Sequence, residues 1–252
     1  MKAARRRSPW ENAPVGNDIL RALLESQYEH LRSRLQQVDL EFGEIVYRAD
    51  QVIKYVYFPE TAVVAMVDTM ADGNTIEVGL IGREGMVGMN VFLGALTTPD
   101  KAIVQIPGTA MRMRTSDLRK ETRFGSPLQR LLLRYTQTLL AVISQSVGCS
   151  QHHSVAQRLA RWLLTTRQHS ATNEFSMSQQ FIADMLGVRR VGVSAAAAEL
   201  QAAGLISYSR GRIRVLDKAG LEKKSCECYR FIRKQFDGLL RELPTFLATG
   251  KS

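Results

Sequence analysis

Near Ser126-Pro127 the apolar residues of this chain change period, and few folds accommodate both halves. Upstream they come in short runs: Glu44 to Tyr47, Lys54 to Phe58, Ala62 to Val67, Thr75 to Leu80, Ala102 to Ile106 and Ala110 to Met113. Gly43, Pro59, Asp72-Gly73-Asn74, Gly82, Gly85, Gly88, Gly94 and Pro107-Gly108 separate them. Runs this short, rich in β-branched and aromatic residues and divided by turn formers, suit strands. Their spacing implies an antiparallel sandwich or roll, with Asp72-Gly73-Asn74 as a hairpin turn. Downstream, Leu128, Leu132, Tyr135, Leu139, Val142 and Ser146 recur at steps of 4, 3, 4, 3 and 4, the seam spacing of a coiled coil. So narrow a stripe calls for a partner helix, and these six residues are the expected homodimer interface. The competing arrangement is a helix packed on its own β-domain, which would account for Leu131, Leu140 and Ile143 beside the seam.

The ends complete the outline. Residues 1–17, with Arg5-Arg6-Arg7, Pro9 and Pro14, have no period and are expected to form a mobile basic tail. Asp18 stands as the N-cap of a short helix carrying Ile19, Leu20, Leu23 and Leu24. A second short helix should end near Leu35. The expected class is α+β, with a β-roll over 18–125, a dimerisation helix over 126–148, a second domain over 149–220 and a helical tail over 221–252.

Charge separates these parts. The chain carries 34 Lys/Arg against 24 Asp/Glu, and the balance is +3 over residues 1–34, −1 over 35–147 and +8 over 148–252. A neutral roll followed by a basic third points to a sensing or assembly domain joined to one that binds a polyanion. No apolar run reaches the roughly 20 residues of a membrane span. The Arg run is followed by Ser8-Pro9-Trp10 rather than an apolar segment, so export is not expected. Three cysteines in 252 residues suit a reducing cytoplasm better than a disulfide framework.

The basic third contains the most specific pattern. Ser178 is placed as an N-cap, Gln179 and Gln180 open a helix, and Phe181, Ile182, Met185 and Leu186 give it one apolar face. Gly187 can end it at positive φ. Arg189-Arg190-Val191-Gly192-Val193-Ser194 then starts a second helix running through Ala203. Helix, tight turn and a second helix opening on two arginines form a helix-turn-helix, whose second helix reads the major groove. Small residues, Gly192, Ser194 and Ala195 to Ala198, let that helix approach both its core and DNA. Two β runs around Ser209-Arg210-Gly211-Arg212 make a hairpin with a basic tip, a wing. The DNA-contacting set expected from this series is Ser178, Gln179, Gln180, Arg189, Arg190, Val191, Ser194, Ala195, Arg210 and Arg212.

The order of roll, long helix and winged helix-turn-helix resembles the Crp/Fnr family of bacterial regulators, over about residues 18 to 220. The most specific segments are Val155 to Leu164, Phe181 to Val188 and Leu200 to Ile206. The resemblance implies a cyclic nucleotide-binding-like jelly roll, a homodimer with paired central helices, and a roll that signals to the DNA-binding heads. The expected partners are two-fold symmetric double-stranded DNA, a second copy of the chain, RNA polymerase and an unidentified small-molecule effector. Two departures matter. Relatives that bind cyclic nucleotide hold it with a Gly-Glu pair and an Arg-Ser pair, where this chain reads Gly88-Met89 and Asp100-Lys101. A phosphate without its guanidinium loses charge-assisted bonds worth about 1.5–3 kcal/mol each, so cyclic AMP binding is not expected. Gly88, Met89 and Lys101 stay candidates for a different effector. In the second helix the usual Arg-Glu start with Arg one turn on becomes Arg190, Val191 and Ala195, so the operator should differ.

Other chemistry is sparsely supported. His152-His153 near Cys149 lack the spacing of a helical metal pair, and Cys226-Glu227-Cys228 falls short of a zinc or redox signature. Packing or exposure is the expectation for both, with no metal and no cofactor. No cysteine precedes Cys149, which removes an N-terminal iron–sulfur cluster. Gly82 to Gly88 imitates a phosphate loop without its Lys-Ser/Thr ending, and no catalytic set stands out, so no enzyme is expected. The alternative function is a ligand sensor whose winged helix contacts proteins.

Overall fold

The computed structural model describes residues 16–23, 25–169 and 173–248. Leu24 and most of the basic tail lie outside them. Two short helices, α1 (Asp18–Arg21) and α2 (Glu25–Arg32), lead into the roll. Asn17, not Asp18, caps α1: its Oδ1 accepts from the Ile19 and Leu20 amides. The same side chain is fully buried, donating to the Pro59 and Gly85 carbonyls, so Asn17, placed in the tail by the sequence, belongs to the roll.

The roll contains β1 (Leu35–Leu40), β2 (Ile45–Tyr47), β3 (Tyr55–Pro59), β4 (Val63–Thr69), β5 (Thr75–Ile81), β6 (Lys101–Ile106) and β7 (Gly108–Arg114), with α3 (Met89–Phe92) and α4 (Thr115–Glu121) in its connections. All pairings are antiparallel, in two sheets ordered β1-β7-β3 and β2-β6-β4-β5. Asp72-Gly73-Asn74 turns between β4 and β5 as expected. β1 was invisible as a run because Leu35-Gln36-Gln37-Val38-Asp39-Leu40 buries little beyond Leu40.

β4 explains the architecture. Its first five residues, Val63 to Val67, are all buried, whereas a strand exposed on one face would alternate. Val64 and Met66 enter the roll's interior. Val63, Ala65 and Val67 point the other way, into the core of the C-terminal head. The four-stranded sheet is therefore covered on its outer face, and the head is docked against the roll.

α5 (Pro127–His152) follows, capped by Ser126 and ending four residues later than expected. The head holds α6 (Val155–His169), β8 (Glu174–Ser176), α7 (Gln179–Leu186), α8 (Arg190–Ala202), β9 (Ile206–Ser209), β10 (Arg212–Val215) and α9 (Lys218–Lys224). The last helix, α10 (Cys228–Ala248), returns to the roll, where Ile232, Phe236 and Leu239 join its core beside α5. Among the described residues no helix is long and apolar enough to cross a membrane.

The expected seam on α5 is corrected here. Leu128, Leu132, Tyr135, Leu139 and Val142 are at most 8% exposed within a single chain, packed into the roll's core. The Ser146 hydroxyl turns back to the Val142 carbonyl. A partner helix cannot reach side chains that the chain itself covers, so the 4-3-4-3-4 stripe is an intramolecular core. Leu133, Leu140 and Val147, seven residues apart, are instead 51%, 60% and 63% exposed.

Candidate nucleic-acid interface

The helix-turn-helix forms for the local reasons the sequence contains. The Ser178 hydroxyl accepts from the Phe181 amide and starts α7. Gly187 ends it at φ +61°, where a side chain would be strained and would also meet Ile76 of the roll at 2.8 Å. The Arg158 guanidinium, buried in α6, donates to the Leu186 carbonyl and braces that turn. α8 then buries Val193, Ala196, Ala197 and Leu200.

The opposite face of α8 is open. Arg189, Arg190, Val191 and Ala195 are exposed, Val191 by 72%. The Ser194 hydroxyl donates to Gln179 Oε1 at 2.6 Å, so two of the expected contact residues are tied to each other. Gln180, exposed, donates to Asp184 at 2.7 Å. In the wing, Ser209 pairs with Arg212 across a two-residue turn with φ +50° at Arg210 and +76° at Gly211. That turn matches the right-handed twist of its strands but disfavours an arginine at its first position, so the charge sits there at a conformational cost. Arg210, Arg212 and Arg214 line one groove beside the wing, where Arg214 is held by Glu174 at 2.6 Å. The ten expected residues thus lie on two adjacent surfaces, the start of α7–α8 and the wing tip.

The roll reaches this interface. Met70, Asn74, Thr75 and Ile76 of the β4–β5 hairpin line a cavity of about 610 Å³ together with Arg189 and Arg190. Phe42 of the roll meets Phe181 at 5.5 Å between ring centroids. Trp162 of α6 donates to the Glu77 carboxylate at 3.1 Å. Burial pushes Glu77 up to about 7, against the pull of Trp162 and Arg161. At the far end of α6, His169 Nδ1 stands 2.9 Å from Glu84, both side chains 5% exposed. Burial opposes both charges, but their mutual attraction outweighs it, raising His169 and lowering Glu84.

The expected effector residues fare differently. Met89 is 3% exposed in the roll's core, and Gly88 is buried against Val56 and Ile53. Asp100 accepts from the Tyr47 hydroxyl at 3.0 Å, so a carboxylate adjoins the expected cation, Lys101. A cavity of about 690 Å³ opens elsewhere, between roll and head, lined by Phe42, Arg83, Gln105, His169 and Met177 among others.

Packing brings together donor side chains that the sequence keeps apart. Cys149 and His153 at the end of α5 meet Cys226 and Cys228, which flank the start of α10, and one ligand atom from each lies within 4.8 Å of the others. The spacing that could have signalled it was Cys149 with His153, four apart, rather than the adjacent histidines. His152 is exposed and takes no part.

Residues 157–224 match the model of the Crp-like helix-turn-helix domain. Solved structures share the architecture over about three quarters of this chain. FixK2 from Bradyrhizobium japonicum superposes with a TM-score of 0.65 at 19% identity, over 76% of this chain and 98% of its own. A CRP-family transcriptional regulator from Thermus thermophilus gives 0.63 at 18%, over 75% and 96%. The c-di-GMP-responsive global regulator CLP from Xanthomonas campestris gives 0.57 at 14%, over 76% and 99%. No curated protein sequence matches the chain. The fold is the one that these solved regulators share, and residues 157–224 of the head are a helix-turn-helix domain. More narrowly, the chain carries a Crp-like helix-turn-helix domain in the Crp/Fnr fold.

Proposed function

We propose that this protein is a cytoplasmic, sequence-specific DNA-binding regulator that works as a homodimer and does not respond to cyclic AMP. The observation that carries this is the exposed face of α8, where Arg189, Arg190, Val191 and Ala195 stand clear of the head's core beside a wing tipped by Arg210 and Arg212. Arg190 reads a guanine edge, Val191 and Ala195 meet thymine methyls, and the wing arginines hold phosphates. Ser178, Gln179, Gln180 and Ser194 complete the contacts at the helix starts. Residues 18–125 act as sensor, α5 as dimerisation helix and the head up to α9 as reader, with RNA polymerase and a small-molecule effector as further partners.

The dimer forms through Leu133, Leu140 and Val147, the apolar stripe that the chain leaves uncovered on α5. Two heads related by a two-fold axis require half-sites about 10 base pairs apart, centre to centre. Buried Met89 and the Asp100 carboxylate leave cyclic phosphate without an anchor. The test is sequencing of genomic fragments bound by the purified protein, with and without millimolar cyclic AMP. A shared inverted repeat, unchanged by the nucleotide, is the expected result. Fragments without a common motif would leave the winged helix as a protein-contact surface.

A further inference from the structure

We infer that Cys149, His153, Cys226 and Cys228 form a closed tetrahedral site for a zinc-type divalent cation that clamps the end of the long helix to the start of the last one. The donor distances carry this. Ligands at tetrahedral angles, with zinc–sulfur bonds of about 2.3 Å and zinc–nitrogen bonds of about 2.0–2.1 Å, stand about 3.8 Å apart for two sulfurs and about 3.6 Å for sulfur and nitrogen. Here Cys149 Sγ is 3.6 Å from Cys226 Sγ, and Cys228 Sγ is 3.7 Å from His153 Nδ1. All four donors lie within 4.8 Å of one another. One small ion fits among them, whereas an iron–sulfur cluster would hold its thiolates further apart.

The surroundings match. The three cysteines are 1%, 3% and 1% exposed and form a small core of their own. His153 turns Nδ1 inward and presents Nε2 to the Glu227 carboxylate at 3.2 Å, the outer partner that fixes ring orientation in metal-bound histidines. Gln145 donates to Cys228 Sγ at 3.1 Å, which supports a thiolate there. Three sulfurs and one nitrogen suit zinc, and four protein ligands leave no open position, so the site is structural rather than catalytic. Binding takes up one divalent cation and releases three thiol protons, leaving one net negative charge. Arg161 lies close enough to act on Cys149 and offset that charge.

Its position gives it a consequence. α5 ends at His152, and Val155 already belongs to the head. The ion would lock α10 against α5 at this hinge. None of this depends on the DNA-binding reading.

The test uses the full chain, tag removed and purified under a thiol reductant, with metals measured by plasma mass spectrometry. One zinc per chain is expected. After stripping with a chelator, cobalt(II) should restore one equivalent, with the intense visible bands of a tetrahedral ion and thiolate charge transfer in the near ultraviolet. Cys226→Ser should abolish both. Should that variant fail to fold, His153→Ala removes a ligand at the rim, and Cys228→His should keep the ion while shifting the cobalt bands. His152→Ala should change nothing. A folded, fully reduced chain that takes up neither ion would overturn the proposal. So would bound iron with acid-labile sulfide, or a metal content indifferent to both Cys226→Ser and His153→Ala.

Discussion

Arg190 and Arg212 carry the same charge in the same basic third, yet their backbones assign them different work. Arg190 opens α8 and, in the proposed DNA complex, enters the groove with it, whereas Arg212 sits on a hairpin strand facing outward. Arg190→Ala should cost about 1–3 kcal/mol on the preferred operator and relax preference at one symmetric pair of positions. Arg212→Ala should weaken all sequences alike and lower the salt slope by about one unit. Binding isotherms across operator variants and salt concentrations separate the two, and an unchanged base preference in Arg190→Ala would remove α8 as reader. The places of these residues in the fold were legible in the sequence because the signals are local: a cap, a glycine at positive φ, a two-residue turn. Asn17 was missed because its burial depends on carbonyls 42 and 68 residues away.

Among elements, α5 carries two apolar stripes; the sequence displays the one through Leu139, but its own roll, the competing arrangement, covers it rather than a second chain. Leu139 and Leu140 differ by one position and face opposite surroundings, 7% and 60% exposed. Leu139→Asp would bury a carboxylate in the roll's core and should lower Tm sharply. Leu140→Asp should leave Tm of the monomer intact and shift sedimentation from dimer to monomer, with loss of operator binding. An unchanged dimer mass in Leu140→Asp would displace the interface from this face. A 4-3-4-3-4 spacing states only that a helix is apolar along one line. Whether a second chain or its own sheet covers that line is decided by the roll and by α10, whose Ile232 and Phe236 no periodicity upstream announces. The Cys149 and His153 site was illegible for the same reason, because its other half lies 77 residues on.

On the scale of the molecule, the head is held to the roll by β4's outward face and by two titrating contacts. Glu84 and His169 stabilise that docking within a pH window. Glu84's share is present above the ordinary carboxylate value and fades as pH falls through its lowered value. His169's share is complete below its ordinary value of 6.5 and fades as pH rises through its raised one. The stability lost on His169→Gln, followed by thermal melts, should therefore shrink as pH is raised above neutrality. A constant difference would mean that the pair contributes no charge. The other contact lets docking be watched by light. Trp162, 1% exposed, is the one indole in the described residues, and its ring nitrogen touches a carboxylate that changes charge at about 7. With Trp10 replaced by phenylalanine, emission should follow a single titration near neutral pH, absent in Glu77→Gln. An effector or operator that undocks the head should redden the same emission as water reaches the ring.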